Sequence, residues 1–159
     1  MNKKLDVKMI ATNAIIAAVY AVLTIAIYPL SYGAIQMRIS ELMVFLAFYN
    51  KKYIPGLVLG CLIANIPSSL GVMDMVFGTL STLIVVIAMN KLENRYVAAL
   101  AGGVITGLIV GAELYIALKL PFVINAFYVF AGETIILEIG AVLFGFIEKN
   151  ESFMKFIKA

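Results

Sequence analysis

Apolar runs follow one another from Met9 to Ile147 with only short polar breaks between them. The first, Met9 to Tyr28, is about 20 residues long, enough for a helix to cross a ~30 Å hydrocarbon layer. A soluble domain of this size has too small an interior to hide so much apolar surface. Of 159 residues, 64% are hydrophobic and 13% charged, against about 45–50% and about 25% in soluble domains. Lipid is the solvent that resolves the mismatch. Met1-Asn2-Lys3-Lys4 ahead of an apolar run imitates a secretory signal. The run exceeds a signal core of about 7–15 residues, and every later segment is apolar too, so it reads as a retained first helix.

The polar breaks predict six helices in one domain covering residues 1–159, an all-α membrane protein. The first runs from Lys8 to Tyr28 and stops at Pro29. The second starts near Ser40, an N-cap candidate, and ends at Tyr49-Asn50-Lys51-Lys52. The third begins at Pro55, a favoured first-turn residue, and halts at Asn65-Ile66-Pro67. Both are too short to span alone. The fourth covers Met73 to Met89, the fifth Val97 to Ala117, and the sixth Phe127 to Ile147, after a loop holding Lys119, Pro121 and Asn125. Gly102, Gly103, Gly107 and Gly111 let the fifth approach its neighbours closely. The tail, with Phe153, Phe156 and Ile157 among lysines, reads as interfacial.

Charge orients this arrangement. With six crossings, one side carries Lys3, Lys4, Lys8, Lys51, Lys52, Lys91, Arg95, Lys149, Lys155 and Lys158, and the other only Arg38 and Lys119. The basic side faces the cytoplasm, which puts both termini there in a multi-pass protein of a bacterial plasma membrane. Small basic groups between apolar runs are a topology pattern rather than a nucleic-acid patch. The lone Cys61 excludes an internal disulfide and a thiolate metal cluster, and the absence of histidine removes the commonest metal ligand and general base.

Acids behave differently. Asp6, Glu93, Glu148 and Glu151 fall on the basic side, whereas Glu41, Asp74, Glu113, Glu133 and Glu138 lie within or at the ends of helices. Four helices thus converge carboxylates on the outer half, with Glu138 deeper. Intramembrane acids face a partner or a wet cavity, which makes them functional candidates. Broken helices often mark transporter sites, and the loops 31–38, 67–71 and 119–125 share the outer end. Gln36, Arg38, Asn65 and Asn125 join the acids as candidate binding residues.

Structural readings stand beside the functional ones. Arg38 and Glu41, at i and i+3, suit an ion pair at a helix start. Asp74 suits a helix N-terminus, Asn65 a cap, and Glu138 a buried neutral acid. Ala14/Ala18 and Ala17/Ala21 form two small-xxx-small pairs, fit either for internal packing or for contact with another subunit.

Three strings resemble one family: Gln36-Met37-Arg38-Ile39-Ser40-Glu41, then Gly56 to Asn65 (GLVLGCLIAN), then Asp74-Met75-Val76-Phe77-Gly78-Thr79. The chain resembles the QueT family of substrate-binding S components of energy-coupling factor (ECF) transporters, assigned to queuosine precursors. The resemblance implies a six-helix S-component fold with an outer site capped by the loops after the first, third and fifth helices. It implies docking, through the Ala14, Ala17, Ala18, Ala21 groove, onto a coupling protein with two ATP-binding subunits, toppling to deliver ligand, and no cofactor in this chain. The chain has no phosphate-binding Gly-x-x-x-x-Gly-Lys-Ser/Thr string.

A 7-deazaguanine presents adjacent ring N–H and amine donors that a carboxylate accepts as a pair. Glu133 or Glu113 would read that edge, and Glu41 or Asp74 would meet the amine of an aminomethyl form. The rivals are an S component for another vitamin or cationic heterocycle, a metal-dependent membrane enzyme, and a structural subunit without a ligand. No catalytic or metal-binding residue is expected.

Overall fold

The computed structural model describes residues 7–32 and 36–158, the side chain of Phe156 excepted. Lys3, Lys4, Asp6 and the loop residues Gly33, Ala34 and Ile35 lie outside the described residues. Everything described is helical or connecting turn: α1 (Val7–Ala26), α2 (Tyr28–Ser31), a 3-10 stretch Ile39–Val44 leading into α3 (Phe45–Tyr49), a 3-10 turn Lys51–Tyr53, α4 (Ile54–Ala64), α5 (Val72–Met89), α6 (Arg95–Leu118), α7 (Phe122–Ile147) and α8 (Glu151–Lys158). Among the described residues four helices, α1, α5, α6 and α7, are long and apolar enough to span a membrane. The protein is an all-helical membrane protein.

The expected second and third helices are the two short ones. Ile39–Tyr49 runs through the middle of the bundle, touching α1, α4, α5 and α7, with Val44, Phe45 and Ala47 fully buried. A segment enclosed by protein need not satisfy lipid. Ser40 does not cap it: the hydroxyl pairs with Thr24 Oγ1 at 2.6 Å, and the 3-10 stretch starts after extended Arg38 without a side-chain cap.

Glycines set the close approaches. A Cβ on Gly56 or Gly60 of α4 would lie 2.7 Å from Asn13 O or 2.8 Å from Tyr20 Cβ of α1, and one on Gly111 of α6 2.7 Å from Ala126 Cβ of α7. Bare backbone lets α1 lie along α4 and α6 along α7. The outer surfaces remain apolar, with Ile15, Val19 and Val22 of α1, Val76, Leu80 and Ile84 of α5 and Ile135, Ile139 and Val142 of α7 exposed. These are the lipid-facing stripes of spanning helices.

The first helix ends at Ala26 rather than Tyr28, which opens the short α2, and the start of α7 also differs from the sequence expectation. Helix α7 begins five residues before Phe127, at Phe122, because Pro121 precedes it as the N-cap and the preceding turn closes tightly at Lys119 in a left-handed conformation. The tail, read as interfacial, folds as α8 with its apolar side on the protein: Met154 and Ile157 are buried, and Asn50 Nδ2 donates to Ile157 O at 3.1 Å.

Candidate functional site

One end of the bundle is basic and the other acidic. At the basic end Arg95 Nη1 meets Glu148 Oε2 at 2.5 Å across α6 and α7. Asn90 Nδ2 donates to Ala47 O at 2.7 Å and Asn13 Nδ2 to Lys52 O at 3.0 Å. At the other end the polar side chains turn inward. Gln36, Arg38 and Glu41 from the central segment, Ser81 and Thr82 with Gly78 from α5, Thr106 and Val110 from α6 and Glu133 from α7 enclose a cavity of about 10 Å³. That is room for about one water. Larger hollows lie elsewhere: an apolar groove of about 350 Å³ on the outside of α6 and α7, lined by Leu108, Phe122, Phe127 and Phe130, and one of about 600 Å³ beneath α8. Neither gathers buried polar groups. Convergence of chemistry rather than size marks the small closed one.

Its floor is a relay of hydrogen bonds. The Tyr20 hydroxyl on α1 donates to Glu41 Oε1, and Thr82 Oγ1 lies 3.5 Å from the same oxygen and 3.2 Å from Cys61 Sγ. Both bonds fall on Oε1, which leaves Oε2 for the cavity. Thr82 can donate to Glu41 while accepting from the Cys61 thiol, so one hydroxyl bridges the two. Ser81 Oγ donates to Thr106 Oγ1 at 3.2 Å, joining α5 to α6.

Arg38 is the cation at the centre. It is 5% exposed; Nε donates to Ser31 O at 3.4 Å, and the guanidinium lies 5.4 Å over the Tyr32 ring. Its Nη2 has no partner. Burial pushes the Tyr32 hydroxyl up to about 12, so it stays a donor at physiological pH, and it donates to Ala64 O. The Arg38 charge acts on four buried acids: Glu41, Asp74, Glu113 and Glu133. The guanidinium, always protonated, is thus surrounded by four buried acids. Chemically, such a set can accept hydrogen bonds from a donor-rich group.

Three further polar side chains from the sequence reading are buried outside the cavity lining. Asp74 sits in the first turn of α5, where the helix dipole favours an acid; Oδ2 accepts from Ser68 Oγ and Oδ1 has no partner. Asn65 follows the last turn of α4, and its Nδ2 donates to Asp74 O at 3.0 Å, leaving Oδ1 bare. Glu113 is fully buried with neither oxygen bonded.

The expected residues therefore divide. Gln36, Arg38, Glu41 and Glu133 line the cavity, and Asn65, Asp74 and Glu113 are buried beside it. Arg38 and Glu41 do not close into an ion pair; Tyr20 takes the Glu41 oxygen instead. Asn125 does not join them: it lies in the first turn of α7, where its Nδ2 bonds Pro121 O at 2.7 Å. Glu138, half-buried on α7, is not among the residues lining the cavity. Of the small-residue pairs, Ala17 and Ala21 are buried against α4, which removes them from any outward surface, and Ala14 and Ala18 stay exposed. Sequence reading missed Tyr20, Ser81, Thr82, Thr106 and Ser68. A hydroxyl in an apolar run carries no charge penalty to flag it. The one available signal was period: Thr24 and Tyr20 share a face of α1 with Ala17.

The sequence model of the QueT transporter family matches residues 10–149. The chain is 46% identical over 84 residues to the queuosine precursor transporter QueT of Lactococcus lactis subsp. cremoris (strain MG1363). That match covers 52% of this chain and 49% of the relative, so the chain spans about half the length of the curated relative it matches. No solved structure matches it significantly.

Proposed function

The chain belongs to the QueT transporter family, and from that premise we propose that it captures a queuosine precursor, a 7-deazaguanine, as the S component of an ECF importer. A transporter family also removes the enzyme reading. The observation that carries the proposal is the closed cavity between Glu41 and Glu133 with Arg38 beside it. A deazaguanine edge offers adjacent N–H donors that a carboxylate accepts as a pair, and its carbonyl takes a guanidinium or amide N–H. Glu133 is the acid we assign to that edge, with Arg38 and Gln36 for the carbonyl. Ligand pockets commonly exceed about 300 Å³, so capture requires the lining side chains to part.

Six crossings with both termini in the cytoplasm of a bacterial cell fit the charge pattern. In that orientation the acidic end opens outward, and Ala14 and Ala18 on the exposed face of α1 offer a flat seat for a coupling protein. ATP would be used by two partner subunits, and no cofactor is assigned to this chain. The surplus of acids favours one second reading, an S component for a different cationic heterocycle.

The test is a calorimetric titration of the detergent-purified protein with aminomethyl-deazaguanine, queuine and guanine. Saturable binding of a deazapurine, weakened at least about tenfold in Glu133→Gln, is the expected result. Well-folded protein that binds another cationic heterocycle and no deazapurine would sink the queuosine assignment and favour the second reading.

A further inference from the structure

We propose that α6 and α7 form, at the basic end of the bundle, a headgroup site for an anionic phospholipid, with the lipid phosphate between Arg95 and Lys149. The two helices enclose a hollow of about 160 Å³ there, lined by Arg95, Tyr96, Val142, Gly145, Phe146 and Lys149. Its charged members are both cations. The neighbouring hollow, about 230 Å³, shares Arg95 and Tyr96 and takes the acids Glu93 and Glu148 instead.

Both cations are held in place. Arg95 Nη1 meets Glu148 Oε2 at 2.5 Å, which fixes the guanidinium and turns its other edge to Gly145. A Cβ on Gly145 would lie 2.8 Å from Nη2 and 3.2 Å from Nε, so that edge rests on the bare backbone of the hollow. Nε is buried without a partner. An unpaired N–H shielded from water is destabilising, and an anion in the hollow would relieve it. The parallel N–H pair of a guanidinium suits two phosphate oxygens at once. Rings seat the charges: the Arg95 guanidinium lies 5.2 Å over Tyr96 and Lys149 Nζ 5.3 Å over Phe146. Glu148 balances Arg95, which leaves Lys149 as the net positive charge.

The hollow stands where the phosphate of a lipid stands. Phe146, Val142, Ile139 and Ile135 recur at helical spacing along α7, and each is at least 44% exposed. Leu100 and Val104 give α6 an exposed apolar flank of its own. Both helices are long and apolar enough to span a membrane, so these stripes meet acyl chains. The cations and Tyr96 then lie at the interface, where such side chains anchor. In the orientation proposed above this end faces the cytoplasm, whose leaflet carries anionic lipid, and basic pockets between spanning helices on that side take its headgroups. The hollow falls below the about 300 Å³ of a site for a whole small molecule. A phospholipid uses both the hollow and the stripe; a free phosphate uses only the first.

The experiment titrates the detergent-purified protein, in a non-ionic detergent, with dioctanoyl-phosphatidylglycerol, dioctanoyl-phosphatidylcholine and glycerol 1-phosphate, read by microscale thermophoresis. Wild type is expected to bind the anionic lipid at least about tenfold more tightly than the zwitterionic one. Lys149→Gln and Arg95→Met should each weaken the anionic lipid about fivefold or more. Lys91→Gln removes the same charge from an exposed position at that end but outside the hollow, and should change affinity less than about twofold. Equal affinity for the two lipids, or no loss in either hollow variant, overturns the proposal. An equal loss in Lys91→Gln overturns it too, because the effect is then one of bulk charge. Glycerol 1-phosphate binding as tightly as the anionic lipid marks a soluble-anion site and overturns it as well. Lys149 is exposed beyond the end of α7, so Lys149→Gln decides the matter if Arg95→Met, which also breaks the pair with Glu148, folds poorly.

Discussion

Gly111→Ala tests whether the contact of α6 with α7 is as close as its bare backbone implies. The added Cβ would lie 2.7 Å from Ala126 Cβ, 2.8 Å from its Cα and 3.1 Å from its N. Carbon atoms rest at about 3.5–4.0 Å, so α7 must retreat by about 1 Å, and no flexible side chain is there to yield instead. Overpacking of this kind costs about 1–3 kcal/mol, while alanine gains about 0.8–1.0 kcal/mol over glycine in a helix. Gly145→Ala on α7 is the matched control: its Cβ meets the movable end of Arg95, at 2.8 Å from Nη2. The propensity gain is shared, so the difference isolates the clash. Thermal melting of both variants in one detergent should place Gly111→Ala lower by about 2–12 °C, using about 2–4 °C per kcal/mol for a chain of this size. Gly107→Ala meets Ala126 O at 2.8 Å, so the double variant at 107 and 111 should cost less than the sum of the two. A Gly111→Ala protein melting at or above Gly145→Ala refutes the reasoning.

Tyr20→Phe removes the donor to Glu41; with a hydrogen bond to a charged group worth about 1.5–3 kcal/mol, we expect a lower melting temperature and about tenfold weaker ligand binding. Arg95→Met should destabilise by about 0.2–1 kcal/mol at low salt and by nothing measurable in ~0.5 M salt, because its pair with Glu148 is about a third exposed; chemical denaturation at two ionic strengths reads it. Ile157→Asp puts a charge where 2% of the side chain is exposed and should detach α8, seen as rapid proteolysis after Asn150 with the remaining bundle intact.

What the sequence made legible follows from which residues are expensive in hydrocarbon. Glu41, Asp74, Glu113 and Glu133 stood out because each interrupts an apolar run, and all four are buried around Arg38. Tyr20 and Thr82 did not, since a hydroxyl is cheap enough in a helix to need no special explanation. The alanines show the limit of periodicity. Spacing of four put Ala14/Ala18 and Ala17/Ala21 on neighbouring faces of α1 but could not choose between them. The choice is made by α4, whose Gly56 and Gly60 accept Asn13, Ala17 and Tyr20 at backbone distance. Asn125 failed for a related reason. Its polar neighbours suggested a loop, but Pro121 precedes α7 as its N-cap and draws the residue into the first turn.

Ser40 was misread as a cap for the same reason that the site exists. Its hydroxyl is drawn to Thr24, in the span beside Tyr20, and this ties the central segment to α1 at 2.6 Å. One turn away, Tyr20 holds Glu41. The same helix presents Ala14 and Ala18 on its outward face. Local capping preference gave way to a tertiary link, as happens where a chain gives up local consistency for function. The unbonded oxygens of Glu113 are the same concession in another currency. Nothing in the packing of α6 requires an acid there, and a leucine of similar volume would remove two unsatisfied acceptors.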